Sequence, residues 1–176
     1  MQHTYKILSL LLDYPSAELH KALPETRSIV QHDNYLNHEQ CDAFQSFLDQ
    51  VQPLSLSDWQ MQYVQLFDFA SNGNLYLFDH VYGDSRERGQ AMVDLTEMYV
   101  QSGFEHNRAE LPDYLPLFLE YLSLLNDRHE VEKLLKEIAH ILENMKNALS
   151  KKETAYALLL EILCTLASSS TLKIEK

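Results

Sequence analysis

From Ile7 to Leu166 the apolar residues of this chain return at intervals of three and four, the period of a helix and not of a strand. The most regular stretch places Val131, Leu134, Leu135, Ile138, Ile141, Leu142 and Met145 on one face, the stripe that an amphipathic helix buries. Shorter stripes precede and follow it. Ile7, Leu8, Leu11 and Leu12 form the first, closed by Asp13, Tyr14 and Pro15. A second helix is expected to start near Ser16 or Pro24, and a third carries Phe44, Phe47, Leu48 and Val51 ahead of Pro53. Trp59, Tyr63, Leu66 and Phe67 make a fourth, opened by Ser55 with Asp58 in a capping-box spacing. Met92, Leu95, Met98 and Tyr99 make a fifth, expected to open at Asp84 and to close at Gly103. Leu115, Phe118, Tyr121 and Leu122 make another, expected to begin around Pro112. Ala155, Leu158, Leu159, Ile162 and Leu166 make the last.

Only 4 glycines and 5 prolines interrupt 176 residues, and no polar–apolar alternation runs long enough for a sheet. The expectation is an all-α, single-domain bundle of about eight helices. It occupies 1–167, with 168–176 as a flexible tail.

Charge narrows the function. The net charge of -12 would repel a phosphate backbone, which argues against nucleic acid and for a basic partner. The longest unbroken apolar run, 155–160, is far short of a membrane span, and no signal sequence opens the chain. Direct membrane insertion is therefore not expected, and the location expected is the cytoplasm. Cys41 and Cys164 match no metal or redox spacing, and Cys164 falls in an apolar stripe, as a buried structural thiol would.

Catalytic signatures are missing: no phosphate-binding glycine loop, no serine elbow, no HExxH. His129 and His140 share a face but would stand roughly 16 Å apart, too far to ligate one ion. His80 and Asp84 are four apart and could bind metal in a helix, but Gly83 intervenes and Asp84 has the character of an N-cap. A structural or partner-binding role fits them better. No metal and no resident cofactor are expected.

The segment between the fourth and fifth helices is about fifteen residues long, more than a compact bundle needs to join two helices. Its aromatics are expected to tuck into the core, and its polar ends, Asp68, Asp79, His80 and Asp84, are candidates for contact with a partner. Gly89 lies inside the fifth helix, where glycine costs about 1 kcal/mol against alanine. Close approach of a neighbouring helix or of a bound peptide would account for it. Arg86 and Arg88 sit at the positive end of the same helix and need acidic partners.

Residues 75–92 (LYLFDHVYGDSRERGQAM), with 63–68 (YVQLFD) before them and 110–116 (ELPDYLP) and 120–122 (EYL) after, resemble the signature blocks of the NarJ family of nitrate reductase assembly chaperones. That family stands with TorD and DmsD among chaperones of molybdenum enzymes. The resemblance implies a TorD/DmsD-like helical bundle that is not an enzyme. It also implies a partner, the apo catalytic (alpha) subunit of a nitrate reductase. That subunit is bound partly through an N-terminal segment resembling a vestigial twin-arginine signal, and is held in the cytoplasm while the molybdenum cofactor is inserted. Such chaperones leave before the mature membrane complex works.

Combining the resemblance with the long loop gives an expected site framed by that loop and the starts of the fifth and sixth helices. Asp68, Asp79, His80, Asp84, Arg86, Asp113 and Glu120 would supply polar contacts, with Tyr63, Tyr114 and Tyr121 as floor and Gly89 leaving room for a backbone. The acidic charge predicts a basic, amphipathic partner segment. Two other classes stay open here: a helical metal-dependent hydrolase using His80 and Asp84, and a permanent subunit of the membrane enzyme. Homodimerisation also stays open.

Overall fold

The computed structural model describes residues 1–67, 74–83, 85–105 and 110–169. Within them the chain forms α1 (Gln2–Leu12), α2 (Ala17–Asp33), α3 (His38–Val51), α4 (Leu56–Phe67), a 3₁₀ turn (Leu77–His80), α5 (Glu87–Gln101), α6 (Leu115–Leu124), α7 (Arg128–Glu137), α8 (Ala139–Ser150) and α9 (Tyr156–Ser169). Among the described residues the only extended pairing is one antiparallel bridge, Tyr76 to Tyr114. The all-α expectation is met. Most of the expected tail, from 170 onward, lies outside the described residues.

Helix ends follow local chemistry. Ser16, not Pro24, opens α2: its hydroxyl accepts from the Leu19 N–H at 3.1 Å, and Pro24 sits inside the helix. Asn37 and Gln40 form a reciprocal capping box on α3, both bonds at 2.9 Å. At α4 the Ser55 hydroxyl accepts from the Asp58 N–H at 3.1 Å, while the Asp58 carboxylate takes the Ser55 proton and not the backbone donor. Gly103, at φ +72°, closes α5 in a Schellman arrangement. Its N–H donates to the Val100 carbonyl at 3.0 Å, and that of Phe104 donates to Tyr99 at 2.9 Å. The rings of Tyr99 and Phe104 supply the accompanying apolar contact, 5.2 Å apart.

Three boundaries differ from expectation. The long seventh stripe is two helices, because Ile138 leaves helical geometry at φ -97°, ψ 5°. Its carbonyl then accepts from Ile141 and Leu142, both at 3.0 Å, and starts α8. The apolar period runs through the bend unbroken, so period alone cannot reveal it. The fifth helix starts at Glu87 with Arg86 at the cap position, and Asp84 lies outside the described residues. The sixth starts at Leu115, so the proline in its first turn is Pro116 and not Pro112.

Two helices form the centre. α6 is apolar on nearly every side and packs along α1, where Ser9 donates to the Pro116 carbonyl at 2.7 Å. α9 is apolar on most of its surface, burying Leu159, Leu160, Ile162 and Leu163 completely, and packs on α3, α7 and α8. Trp59 of α4 is fully buried with its indole N–H on the Tyr156 hydroxyl at 2.9 Å, so its one polar atom is satisfied. Cys164 is buried as expected, and burial pushes its thiol up to about 12. No helix among the described residues is long and apolar enough to cross a membrane.

α5 is the exception to this dense packing. Of its fifteen residues only Leu95 and Tyr99 are buried, while Val93 and Val100 face outward. Gly89 is exposed, and a Cβ built there would meet nothing within 4 Å. The close-packed neighbouring helix expected at Gly89 is therefore absent.

Candidate functional site

The segment 74–83 is a strap tied down by the residues just ahead of α6. The Leu77 N–H donates to the Asp113 carbonyl at 2.9 Å, and the Leu115 N–H to the Leu75 carbonyl at 2.8 Å. The Asp113 carboxylate is fully buried, and its Oδ2 accepts from the Phe78 N–H at 2.9 Å. Asp113 therefore caps the 3₁₀ turn and not α6. Its Oδ1 has no hydrogen-bond partner among the described residues. Burial raises its pKa, helped by nearby Asp79 and opposed by the Phe78 N–H and Arg88.

The strap's other polar groups also turn inward. Asp79 accepts from the Asn74 amide at 2.7 Å and pairs with Arg88 of α5 at 2.5 Å, an ion pair without hydrogen-bond alignment. His80 Nε2 lies 3.1 Å from the Asn74 carbonyl. Leu75 and Leu77 reach the core, whereas the aromatics expected to do so, Tyr76, Phe78 and Tyr82, are only half-buried. Asp79, His80 and Asp113 are thus held together, but by the strap itself. Asp68 and Asp84 lie outside the described residues. Arg86 and Gly89 are exposed at the start of α5.

On one side of the strap the tyrosines converge. Tyr63 of α4 donates to the Leu12 carbonyl at 3.0 Å, and its hydroxyl lies 2.9 Å from that of Tyr114. Tyr114 donates to Asp13 Oδ1 at 3.0 Å. Burial, Tyr63 and Asp13 together push the Tyr114 hydroxyl far above its ordinary range, so it stays protonated. Tyr76 faces Tyr114 with ring centroids 5.3 Å apart and donates to Glu110 Oε2 at 3.2 Å. Tyr14 meets Tyr63 edge-on at 5.7 Å. These groups line a cleft of about 270 Å³.

A second hollow of about 350 Å³ shares Asp13, Glu110 and Tyr114 with the first and continues past Glu105 to Glu120. Together they form a trough walled by four carboxylates, Asp13, Glu105, Glu110 and Glu120, with no Lys or Arg in its lining among the described residues. Lys6 is ion-paired to Glu120 at one end. Tyr121 is not in the trough. It is buried against Tyr99, centroids 4.8 Å apart, with its hydroxyl 2.9 Å from that of Ser102.

Of the expected residues, then, Tyr63, Tyr114 and Glu120 meet in one place. The strap and the residues ahead of α6 form two walls of the trough, and the third is the end of α1 rather than the start of α5. Asp13, Tyr14, Tyr76, Glu105 and Glu110 complete the site and were not among the candidates. Tyr76 and Glu110 fall inside the signature blocks, which was their only signal. Asp13 and Tyr14 had none beyond ending a helix. Among the described residues no cluster of His, Cys, Asp and Glu has the arrangement to hold a metal.

The family model described as nitrate reductase delta subunit matches residues 32–160. The chain is 42% identical over 164 residues to the nitrate reductase molybdenum cofactor assembly chaperone NarJ of Escherichia coli strain K12, covering 93% of this chain and 69% of that one. It is 33% identical over 165 residues to a candidate chaperone of the same description from Bacillus subtilis, covering 92% and 86%. In fold it is similar to the crystal structure of a candidate redox enzyme maturation protein from Archaeoglobus fulgidus, with a TM-score of 0.67, 18% identity and coverage of 96% and 94%. That likeness bears on fold alone.

Proposed function

The chain belongs to the nitrate reductase delta subunit family, and on that premise we propose that it is a molybdenum cofactor assembly chaperone that binds the immature catalytic subunit of a nitrate reductase. The relatives named for this role are chaperones, not catalysts, and nothing favours the hydrolase alternative at His80 and Asp84.

The finer reading is that a basic segment at the N-terminus of the catalytic subunit lies in the tyrosine-floored trough. The observation that carries it is the lining: four carboxylates and, among the described residues, no Lys or Arg, in a chain of net charge -12. Arg or Lys side chains would meet the carboxylates, while the faces of Tyr14 and Tyr76 offer stacking and cation–π contact. Tyr63, Tyr114 and Glu120 are contact residues in this reading, joined by Asp13, Glu105 and Glu110. Asp79, His80 and Asp113 are positioning residues that hold the strap, and Tyr121 supports the floor from behind. Arg86 and Gly89, exposed at the start of α5, are rim contacts, and Asp68 and Asp84, outside the described residues, stay candidates by their place in the sequence. The working unit is the helical body 1–167, acting in the cytoplasm. All of the trough's lining comes from one chain, so a homodimer is not needed to build it.

Pull-down of the apo catalytic subunit, with and without its N-terminal segment, tests this. Capture that falls sharply on deleting the segment supports the reading. Equal capture of both forms removes the segment from it, and no capture of either removes the partner.

A further inference from the structure

The two hollows of the trough share three residues, Asp13, Glu110 and Tyr114, so a segment lying along the trough passes all three. At this junction both carboxylates are already partly used. Asp13 Oδ1 accepts twice, from the Tyr14 N–H at 2.8 Å and from the Tyr114 hydroxyl at 3.0 Å. A carboxylate oxygen has two lone pairs, so this one has none left for a ligand. Glu110 Oε2 accepts from the Tyr76 hydroxyl at 3.2 Å. Asp13 Oδ2 and Glu110 Oε1 take no hydrogen bond from the described residues. The two tyrosines are themselves held, with ring centroids 5.3 Å apart and the Tyr114 hydroxyl 2.9 Å from that of Tyr63.

This pattern decides which cation fits. A guanidinium gains over an ammonium by laying two parallel N–H bonds on both oxygens of one carboxylate. Asp13 cannot receive that fork, because Oδ1 is full. Glu110 can receive it only on the oxygen that Tyr76 already holds. What remains is one open oxygen on each of two separate carboxylates. An ammonium is a compact charge with three rotatable donors, and it reaches single oxygens without a fixed fork.

We infer that Tyr114 and Tyr76 are positioning residues that set the cation specificity of the trough: by holding one oxygen of Asp13 and one of Glu110 they withhold the guanidinium fork and make the junction a lysine site. The inference rests on the partner reading above and deepens it, from a basic segment to a lysine at one place in that segment. Hydroxyl groups, which carry no charge themselves, here choose between two side chains of equal charge.

The test uses the full chain and two synthetic peptides with the N-terminal sequence of the catalytic subunit. In one every basic residue is Lys, and in the other every basic residue is Arg. The Lys peptide should bind the parent at least as tightly as the Arg peptide. Tyr114→Phe and Tyr76→Phe each keep the ring and remove one hydroxyl. The ratio of the two affinities should move toward the Arg peptide by about threefold to tenfold in Tyr114→Phe, the worth of one regained hydrogen bond to a charged group at a partly exposed site. It should move less in Tyr76→Phe, where the lost bond is longer. A merely structural role for either hydroxyl would weaken both peptides alike and leave the ratio unmoved. A parent that prefers the Arg peptide overturns the inference, and so does an unmoved ratio in either folded variant. Where Tyr114→Phe does not fold, the parent's ratio and Tyr76→Phe decide. In all of these outcomes both peptides bind and the partner reading stands. If the parent binds neither peptide, the partner reading fails and takes the lysine site with it.

Discussion

The α1–α6–α9 centre and the strap side of the molecule are built from the same kinds of residue, yet they are held by different forces. In the centre, Leu159, Leu160, Ile162 and Leu163 are sealed from water and the few polar atoms are paired, as Trp59 is to Tyr156. On the strap side a 3₁₀ turn is held by two backbone hydrogen bonds, the buried Asp113 carboxylate and an Arg88–Asp79 ion pair, and α5 beside it buries only two of its residues. The centre therefore carries the stability. The strap side carries surfaces that can change occupancy without unfolding the chain, which is what a protein that takes and releases a partner requires. Substitutions should separate the two cleanly.

The largest effect should come from the centre. Leu163→Ala is expected to cost about 2–5 kcal/mol of folding stability. Trp59, the sole tryptophan, is a built-in fluorescence reporter for measuring it in urea. The folded fraction should bind partner as the parent does. A variant that stays fully stable would mean that α9 is not the centre of the core.

Next, Asp113→Ala removes the cap on the strap. A loss of about 1–3 kcal/mol is expected, the range for leaving a buried donor unsatisfied. Amide exchange at Phe78 should speed up more than at Leu163. Uniform acceleration across the chain would contradict a locally held strap.

The pH response of the same residue sharpens the contrast. The carboxyl of Asp113 is raised when folded, so its contribution is fully present below the ordinary carboxylate range and is lost as pH rises through the raised value. Asp33, which accepts from the α-amino group and from Thr4, is lowered, and its contribution runs the other way, lost as pH falls. Asp113→Asn keeps an acceptor for Phe78 and removes the ionisation. Relative to this variant, the parent should lose stability as pH rises above the ordinary carboxylate range, measured by thermal melts over a series of pH values. Parallel curves would show that Asp113 is not buried as an ionisable group.

The smallest stability effect should come from the trough. Asp13→Asn with Glu110→Gln should shift stability by no more than about 0.5 kcal/mol, as surface substitutions do. A larger loss in urea titration would make these carboxylates part of the scaffold.

The same division explains what could be read from the sequence. Helix content and core faces follow from the three-and-four spacing, because burial of a stripe is a local pattern. The bend at Ile138 does not, since the stripe on either side of it keeps its phase. The α3 capping box of Asn37 and Gln40 has a readable spacing that was passed over. The trough is the opposite case. Asp13 meets Tyr114 across 101 positions of sequence, and Tyr63 meets it across 51. No local period marks such a meeting, and only the likeness of the signature blocks pointed to Tyr63 and Tyr114. Asp79 on the strap and Asp113 ahead of α6 are contact candidates by sequence, and the structure shows both bonded to the strap itself. A sequence shows that a carboxylate is present; whether it turns inward depends on which N–H lies beneath it.

The central claim is that a basic N-terminal segment of the catalytic subunit is bound by the carboxylates of the trough. Calorimetric titration of that peptide into the parent and into the Asp13→Asn, Glu110→Gln variant, repeated over a range of salt, tests it most directly. The account predicts that the parent's affinity falls steadily with salt, and that the variant binds more weakly with a clearly shallower salt slope. Parallel slopes for the two proteins, or a parent indifferent to salt, would contradict it.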